Sequence, residues 1–175
     1  MILIVNGACG VGKSTVTKKL EEKFEACAHI KADDVHCFIV NSKIIPEHIQ
    51  MTDINIESLV KNFKSNGFKN IIIDNVYETT EHINCVVSNL KQYDKDVFSV
   101  LLYCELQENI RRDSLRPFDD VCGEQRVREL HEILYNEEGL GIIFDNTNIP
   151  EEIMATNIFE FVQMKLKEKS VYATN

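Results

Sequence analysis

The residues that limit the chemistry of this chain most tightly lie near its beginning. Residues 7–14, followed by Thr15, match the pattern G-x-x-x-x-G-K-S, a loop whose backbone N–H groups surround a phosphate. In such a loop Lys13 reaches the β- and γ-phosphates, and the hydroxyl of Ser14 binds Mg²⁺. An apolar run precedes the loop and a helix-like stretch follows it, as this motif requires. The predicted nucleotide-binding residues of this phosphate loop are Gly7, Ala8, Cys9, Gly10, Val11, Gly12, Lys13, Ser14 and Thr15.

Acidic residues follow two of the strand-like runs. Asp33 and Asp34 come directly after the second run, and Asp74 ends the third. A carboxylate at such a position can accept a proton from an attacking hydroxyl or hold Mg²⁺. We predict Asp33 as the base, with Asp34 left open, and Ser14, Asp33 and Asp74 as magnesium ligands. Capping of the next helix by Asp33 or Asp34 and a turn role for Asp74 are the alternatives.

All five arginines of the chain lie within residues 111–128. Guanidinium groups bind phosphate bidentately and keep their charge, so this concentration in an acidic chain favours phosphate contact. Pro117 and Gly123 interrupt the window, which predicts a helix, a short loop and a second helix. That layout suits a mobile lid that closes over a transferring phosphate.

Three of these arginines are predicted phosphate ligands, namely Arg112, Arg116 and Arg126. The alternative is surface pairing with glutamates at i,i+4 spacing, and we favour it for Arg128 and for Arg111. A further polar loop follows the last strand-like run. There we predict that Asn146 contacts the nucleotide, while capping of the following helix by Asn148 is an equally good interpretation.

Apolar runs alternate with amphipathic stretches along the chain. The strand-like runs are residues 2–5, 29–31, 70–74, 97–104 and 142–144, and the helix-like stretches are residues 13–26, 54–65, 80–93, 107–114, 123–136 and 151–167. This alternation predicts βαβ units and a mostly parallel sheet covered on both faces. Ligands of such sheets bind at the carboxyl ends of the strands, where the candidate residues cluster. We expect residues 170–175 to be a frayed tail.

Bulk composition narrows the class of protein. The chain has 175 residues with 44% apolar content, which predicts one domain over residues 1–175. The net charge of −9 argues against a nucleic-acid partner. Without a signal-peptide pattern or an apolar run of membrane-spanning length, we expect a cytoplasmic protein with reduced cysteines. Of its six cysteines, we expect Cys85 and Cys104 in the core.

Taken together, these pieces resemble the small P-loop kinases. The opening residues 4–7 resemble chloramphenicol phosphotransferase, Asp33 with His36 resembles the gluconate kinase motif, and the layout is similar to shikimate and adenylate kinases. The resemblance implies an α/β fold, the three-layer P-loop NTPase fold with a five-stranded parallel sheet and an Arg-rich helical lid at about 111–128. It also implies ATP with Mg²⁺ and transfer of the γ-phosphoryl group to a small acceptor, with Asp33 at the acceptor hydroxyl.

One departure from that resemblance concerns the acceptor. Shikimate and nucleoside monophosphate kinases hold anionic acceptors with arginines in the acceptor-binding half, whereas residues 35–80 here contain lysines and no arginine. We therefore expect a neutral or weakly charged acceptor that carries a hydroxyl. Residues 35–68, which are expected to shape its site, contain no recognisable motif.

The sequence thus predicts an ATP-dependent small-molecule kinase. Its predicted catalytic residues are Lys13, Asp33, Arg112 and Arg116. Two alternatives are a kinase for the 5′ end of a polynucleotide and a regulatory P-loop protein that binds nucleotide without transferring phosphate. The sequence leaves the acceptor, the choice between ATP and GTP, and the oligomeric state open.

Overall fold

A five-stranded parallel sheet forms the centre of the molecule. The computed structural model describes residues 1–172, and for Asp119, Ser170, Val171 and Tyr172 it describes the backbone alone. The strands in this part of the chain are β1 (Ile2–Gly7), β2 (Cys27–Lys31), β3 (Asn70–Asp74), β4 (Val97–Tyr103) and β5 (Ile142–Asp145). Each pairing is parallel, and the strand order is β2-β3-β1-β4-β5. The predicted five-stranded parallel sheet is confirmed.

Helices connect the strands. They are α1 (Lys13–Glu21), α2 (Ala32–His36), α3 (Pro46–Ser65), α4 (Thr80–Leu90), α5 (Leu106–Ser114), α6 (Glu124–Asn136) and α7 (Glu151–Tyr172), with one 3₁₀ turn at Phe118–Asp120. The segment from α5 through the 3₁₀ turn to α6 is the helix–loop–helix predicted for the arginine window. Within residues 1–172, no helix combines the length and the apolar character that crossing a bilayer requires.

Alternate residues of β1 contribute to two separate cores. Ile2 and Ile4 pack with side chains of α3, α4 and α6, whereas Leu3 and Val5 pack with side chains of α1 and α7. All four are fully buried, because a central parallel strand is covered on both faces. The helices therefore form two outer layers around the sheet, which confirms the three-layer α/β fold.

Some boundaries differ from those predicted. Helix α3 begins at Pro46 rather than at residue 54. In the first half of this helix the polar Thr52 is buried, whereas the apolar Met51 and Ile54 are exposed. The sequence therefore shows no apolar stripe at helical spacing there. Helix α1 ends at Glu21 rather than at residue 26, since Ala26 has a left-handed backbone (φ 46°) directly before β2.

Two expectations at other positions need correction. Cys85 is exposed, because α4 buries the stripe Ile83, Val86 and Leu90 and leaves position 85 on the solvent side. Cys104 is buried, as predicted. Helix α7 continues through Tyr172 where a frayed tail was expected, and residues 173–175 lie outside the described part of the chain.

The strand order positions the candidate residues. The carboxyl end of β1 lies between those of β3 and β4, and β2 ends beside β3, with Lys31 opposite Asp74. The segments that follow β1, β2, β3 and β5 therefore open onto one edge of the sheet, where ligands of such folds bind.

Candidate functional site

A cavity of about 950 Å³ lies at this edge of the sheet. Its lining comes from the phosphate loop, from α2 and α3, from the segment after β3, from α5 and α6, and from the loop after β5. The candidate residues in the lining are Ala8, Cys9, Gly10, Gly12, Lys13, Ser14, Thr15, Asp33, Arg112, Arg116, Arg126 and Asn146. Three other predicted residues, Gly7, Val11 and Asp74, lie outside the lining.

The phosphate loop needs glycine where it turns into α1. Gly12 is the residue before the helix and has a left-handed backbone (φ 96°). A Cβ atom there would lie 2.9 Å from Nδ2 of Asn146, closer than side chains tolerate. The loop can pass beneath Asn146 and direct its N–H groups at a phosphate because Gly12 has no side chain.

Lys13 lies folded over the loop that precedes it. Its Nζ donates to the carbonyl oxygens of Gly7 at 2.8 Å and of Ala8 at 3.0 Å. An ammonium group that is bound to two backbone carbonyls, with no carboxylate partner among the described side chains, can exchange them for phosphate oxygens. The geometry thus places a mobile cation at the phosphate loop.

Asn6, which sequence reasoning missed, holds the start of the loop. Its Oδ1 accepts from the backbone N–H groups of Gly7 and Tyr77, each at 2.9 Å, and its Nδ2 donates to the carbonyl of Tyr77 at 3.0 Å. The side chain is fully buried. It therefore couples the phosphate loop to the segment after β3, and its position directly before Gly7 was the available signal.

Asn146 holds the other side of the loop. Its Nδ2 donates to the carbonyl of Val11 at 2.8 Å, while its buried Oδ1 has no hydrogen-bond partner within residues 1–172. In native structures such a buried oxygen nearly always accepts a hydrogen bond from the protein, from a water molecule or from a ligand. An N–H donor of a bound ligand would satisfy Oδ1.

Four of the five arginines line the cavity. Arg112 donates through Nη2 to the carbonyls of Asn146 at 3.1 Å and Thr147 at 2.6 Å, and through Nε to Glu108 at 2.8 Å. Hydrogen bonds from Arg111 and Arg112 lower the pKa of Glu108 to about 2, so this carboxylate stays ionised and holds both guanidinium groups. The side chain of Arg112 is therefore held in place by Glu108 and by the loop after β5, and it is not free in solvent.

The remaining arginines divide between the cavity and the surface. Arg116 contacts Asp113 at 3.4 Å, and Arg126 pairs with Glu78 across the cavity. Arg128 pairs with Glu124 at 2.7 Å on the outer face of α6, as the pairing alternative predicted. Arg111 also pairs with glutamate, although it lines the cavity as well.

Asp113 is a second residue that sequence reasoning missed. It is 2% exposed, and its carboxylate accepts from the backbone N–H groups of Cys122 at 3.3 Å and Gly123 at 2.9 Å. These bonds close the lid loop at its base, beside Arg116. No sequence pattern pointed to Asp113, because the spacing between it and its partners, Cys122 and Gly123, belongs to no known motif.

The two acids after β2 have different surroundings. Asp33 lines the cavity, and Asp34 lies outside the lining on the same exposed turn. Lys31 is the N-cap residue of α2, so capping by either aspartate, the alternative considered above, is wrong. Both carboxylates lie in the first turn of α2, and only Asp33 is placed to meet a ligand.

Asp74 is buried behind the phosphate loop. Its Oδ2 lies 2.9 Å from Nε2 of His29 and 3.3 Å from the hydroxyl of Thr17, one turn after Ser14. His29 contacts Glu21 through Nδ1 at 2.8 Å. Asp74 is the last residue of β3 and is 3% exposed, so the turn role does not apply. Within residues 1–172, no group of three or more His, Cys, Asp or Glu residues could hold a metal ion unaided.

The wall opposite the phosphate loop comes from the part of the sequence without a motif. Nδ1 of His36 lies 2.8 Å from the hydroxyl of Thr52, which donates its own proton to the carbonyl of His48 at 2.8 Å. Nδ1 of His36 must therefore carry the proton, and a neutral ring then leaves Nε2 as an acceptor. This Nε2 is buried and has no partner within the described chain.

Comparison with solved structures places this fold among P-loop kinases. The Deinococcus radiodurans tunicamycin resistance protein is 17% identical, with a TM-score of 0.68 over 92% of this chain and 94% of that chain. A gluconokinase from Sinorhizobium meliloti 1021 is 13% identical, with a TM-score of 0.69 over 99% and 97%. A chain of the Pnkp1/Rnl/Hen1 RNA repair complex is 21% identical, with a TM-score of 0.65 over 86% of this chain and 48% of that chain. At such identities the likeness shows the fold alone.

Sequence comparison gives the family. No curated protein matches the chain. The family model described as "Chloramphenicol phosphotransferase-like protein" matches residues 1–163, which include the phosphate loop, the lid and the loop after β5. Because the match spans nearly the whole chain, this protein belongs to the chloramphenicol phosphotransferase-like family.

Proposed function

We propose that this protein is an ATP-dependent kinase that transfers the γ-phosphoryl group to a hydroxyl of a small molecule. The observation that carries the proposal is the shared cavity, in which the phosphate loop, Asp33 and four arginines face one space. Phosphoryl transfer needs a cradle for the phosphates, cations around the moving group and a carboxylate at the attacking hydroxyl. Residues of all three kinds line this one cavity.

The nucleotide would lie between the phosphate loop and the lid. The loop N–H groups and the start of α1 favour negative charge, and Lys13 adds its ammonium group. Arg112 and Arg126 line the same space, and Asn146 offers its unpaired Oδ1 to an N–H donor of the base. These contacts account for binding of the whole triphosphate.

Magnesium would enter with the nucleotide and neutralise phosphate charge. Ser14 and Asp33 line the cavity and supply the oxygen atoms that Mg²⁺ prefers, while most other ligands would be phosphate oxygens and water. Binding of the metal by Asp74 stays a prediction, because this carboxylate is engaged by His29 and Thr17.

Asp33 would orient the acceptor hydroxyl and take its proton as the oxygen attacks. Lys13, Arg112 and Arg116 would neutralise the charge that develops on the transferring group, in a lid that excludes water. Catalysis would then consist mainly of positioning and electrostatic stabilisation.

The acceptor side of the cavity favours an uncharged compound. Its wall combines apolar side chains with carboxylates, and it comprises Ile44, Ile49, Thr52, Asp53, Val76 and Glu78. Arg126, the cation at this wall, is already paired with Glu78. An anionic acceptor would therefore meet the carboxylates of this wall and would compete with Glu78 for Arg126.

A phosphorylation screen with labelled ATP tests the proposal. Uncharged sugars, nucleosides and hydroxyl-bearing antibiotics form one arm, and carboxylate-bearing alcohols form the other. We expect transfer within the uncharged arm and none in the other. The proposal fails if magnesium-ATP does not bind at millimolar concentration in a calorimeter, or if ATP is hydrolysed at one slow rate that no acceptor changes. The second result is expected of a regulatory nucleotide-binding protein.

A polynucleotide 5′-kinase is the second candidate, since a chain of an RNA repair complex shares the fold. The net charge of −9 and the acidic acceptor wall would repel a polyanion. An oligonucleotide with a free 5′ hydroxyl belongs in the same screen, and we expect it to remain unlabelled. The cytoplasmic location and the single-domain organisation stay predictions.

A further inference from the structure

Two cysteines join the phosphate loop to the lid. Cys9 is the third residue of the phosphate loop, and Cys122 is the last lid residue before Gly123 and α6. Both are free thiols that line the cavity, and their side chains are close enough for each to shift the pKa of the other. This contact spans two segments that lie more than a hundred positions apart in the sequence.

The pair is held together by the buried carboxylate of Asp113. Oδ1 of Asp113 accepts from the N–H group of Cys122 at 3.3 Å. On its other side, Asp113 packs so closely on Gly10 that a Cβ atom at Gly10 would lie 3.0 Å from its own Cβ. The backbones next to both cysteines thus contact one side chain, which places the two thiols on adjoining segments of the cavity wall.

The charges around the pair favour one thiolate and one thiol. The hydrogen bond from Cys122 and the positive charges of Lys13 and Arg116 lower the pKa of Cys9 to about 7, against the opposing effects of burial and of Asp113. The same hydrogen bond raises the pKa of Cys122. Nη1 of Arg116 lies 3.8 Å from Sγ of Cys122. A half-buried thiolate beside an exposed thiol is the arrangement in which a reactive cysteine meets a resolving cysteine.

We propose that Cys9 and Cys122 form a redox-modification site, at which a hydroperoxide converts the two thiols into a disulfide that ties the lid to the phosphate loop. The Cys9 thiolate attacks a peroxide oxygen, the O–O bond breaks, and sulfenic acid forms with release of hydroxide. Cys122 then attacks the sulfur of Cys9, the S–S bond forms, and the sulfenic hydroxyl leaves as water with the proton of Cys122, while the hydroxide released in the first step takes a proton from the solvent. Two electrons pass from the sulfurs to the peroxide, and a dithiol reverses the process.

The disulfide acts on the nucleotide site. It fixes the base of the lid against the loop that wraps the phosphates, so the lid no longer opens for nucleotide entry. This consequence rests on the proposed nucleotide binding, whereas the disulfide itself does not. We expect nucleotide affinity to fall at least tenfold on oxidation and to return with dithiothreitol.

Peptide mapping without reduction tests the bond directly. After one equivalent of hydrogen peroxide, we expect one cross-linked peptide pair that joins residues 9 and 122, and its loss after dithiothreitol. The variant Cys122→Ser should give no such pair, and the control Cys85→Ser, at an exposed cysteine on α4, should give it unchanged. Absence of the 9–122 pair from the oxidised wild-type protein overturns the proposal.

Titration with a fluorescent ATP analogue tests the consequence. Oxidised wild-type protein should bind it at least tenfold more weakly than reduced protein, and dithiothreitol should restore the affinity. An unchanged affinity in cross-linked wild-type protein overturns the regulatory part. If the 9–122 pair forms while the reduced protein also fails to bind the analogue, the proposed nucleotide function is refuted and the modification site stands.

Discussion

The side-chain amide of Asn146 donates to the carbonyl oxygen of Val11 across 2.8 Å, and this bond joins the loop after β5 to the phosphate loop. Gly12 passes directly beneath the same amide. Two segments that are 135 positions apart therefore define the shape of one phosphate site, and its geometry depends on the absence of a side chain at position 12.

Replacement of Gly12 by alanine should abolish nucleotide binding. Gly67→Ala is a matched control, since both glycines have positive φ (96° and 87°) but a Cβ atom at Gly67 meets nothing within 4 Å. We expect each variant to lose about 1–2 kcal/mol of unfolding free energy from backbone strain. Only Gly12→Ala should lose affinity for magnesium-ATP in calorimetry. Equal affinity of both variants would show that Asn146 yields to the added methyl group.

Asp33→Asn and Asp34→Asn should separate the two neighbouring acids. Asp33 lines the cavity and Asp34 does not, so loss of the base should affect one variant alone. We expect kcat to fall by about 10²- to 10⁴-fold in Asp33→Asn, the usual range for a lost general base, and to stay near wild type in Asp34→Asn. The measurement is steady-state transfer to an acceptor found in the screen. A full rate in Asp33→Asn would assign the proton transfer elsewhere.

Lys13→Ala should remove a cation from the phosphates. The loss of one preorganised donor to developing charge costs about 10²- to 10³-fold in kcat. Lys61→Ala, on the exposed side of α3, is the control and should keep its rate. Circular dichroism should show that both variants fold, since Lys13 contacts loop carbonyls rather than the core. Equal rates in the two variants would contradict the assignment.

Asp113→Ala should destabilise the lid. The change leaves the backbone N–H groups of Cys122 and Gly123 without their carboxylate acceptor, and each hydrogen bond lost at such a partly exposed position costs about 0.5–1.5 kcal/mol. Asp34→Ala, at an exposed position, should change the unfolding free energy in urea by less than about 0.5 kcal/mol. Hydrogen exchange should become faster at residues 122 and 123 in Asp113→Ala. Unchanged exchange there would mean that the lid is held by other contacts.

His82 should make stability depend on pH. Its Nε2 lies 2.6 Å from Asp53, and this hydrogen bond raises the pKa of His82 above its ordinary value of 6.5. Because the folded-state pKa is the higher one, the stabilisation is complete below the unfolded-state pKa and is lost as pH rises through the folded-state value.

The comparison for this prediction is His82→Gln against the wild type. The difference in unfolding free energy should be largest near pH 5.5 and should shrink as the pH is raised above 6.5 towards 8.5, in urea titrations at each pH. A difference that stays constant over this range would rule out the His82–Asp53 pair as its source.

The parts predicted correctly are those that local sequence encodes. The phosphate loop is one contiguous motif between an apolar strand and a helix, so neighbouring residues suffice to recognise it. Runs such as Ile71–Ile72–Ile73 identify buried parallel strands because both faces of the sheet are covered. The arginine window was recognised from composition alone, and four of its five members line the cavity.

The missed residues depend on partners that are distant in sequence. Asn6 bonds Tyr77, 71 positions away, and Asp113 bonds the backbone of Gly123 across the lid loop. A single polar residue shows no periodicity, so the only sequence signal for Asn6 was its position directly before Gly7, and Asp113 had none. Residues 35–68 were expected to shape the acceptor site, and the lining includes five of them, but their individual contacts could not be predicted, since His36 and Thr52 meet only through the packing of α2 on α3.

By itself the sequence determined the phosphate loop, the strands and helices of the α/β fold and the concentration of arginines in the helix–loop–helix segment, because each arises from residues that are neighbours along the chain. The tertiary structure alone decided that Asp33 rather than Asp34 faces the cavity, that Asp74 contacts His29, and that Cys9 meets Cys122. These outcomes follow from the strand order and from the way the helices cross. Both set the distances between remote segments, and local backbone propensity does not encode such distances.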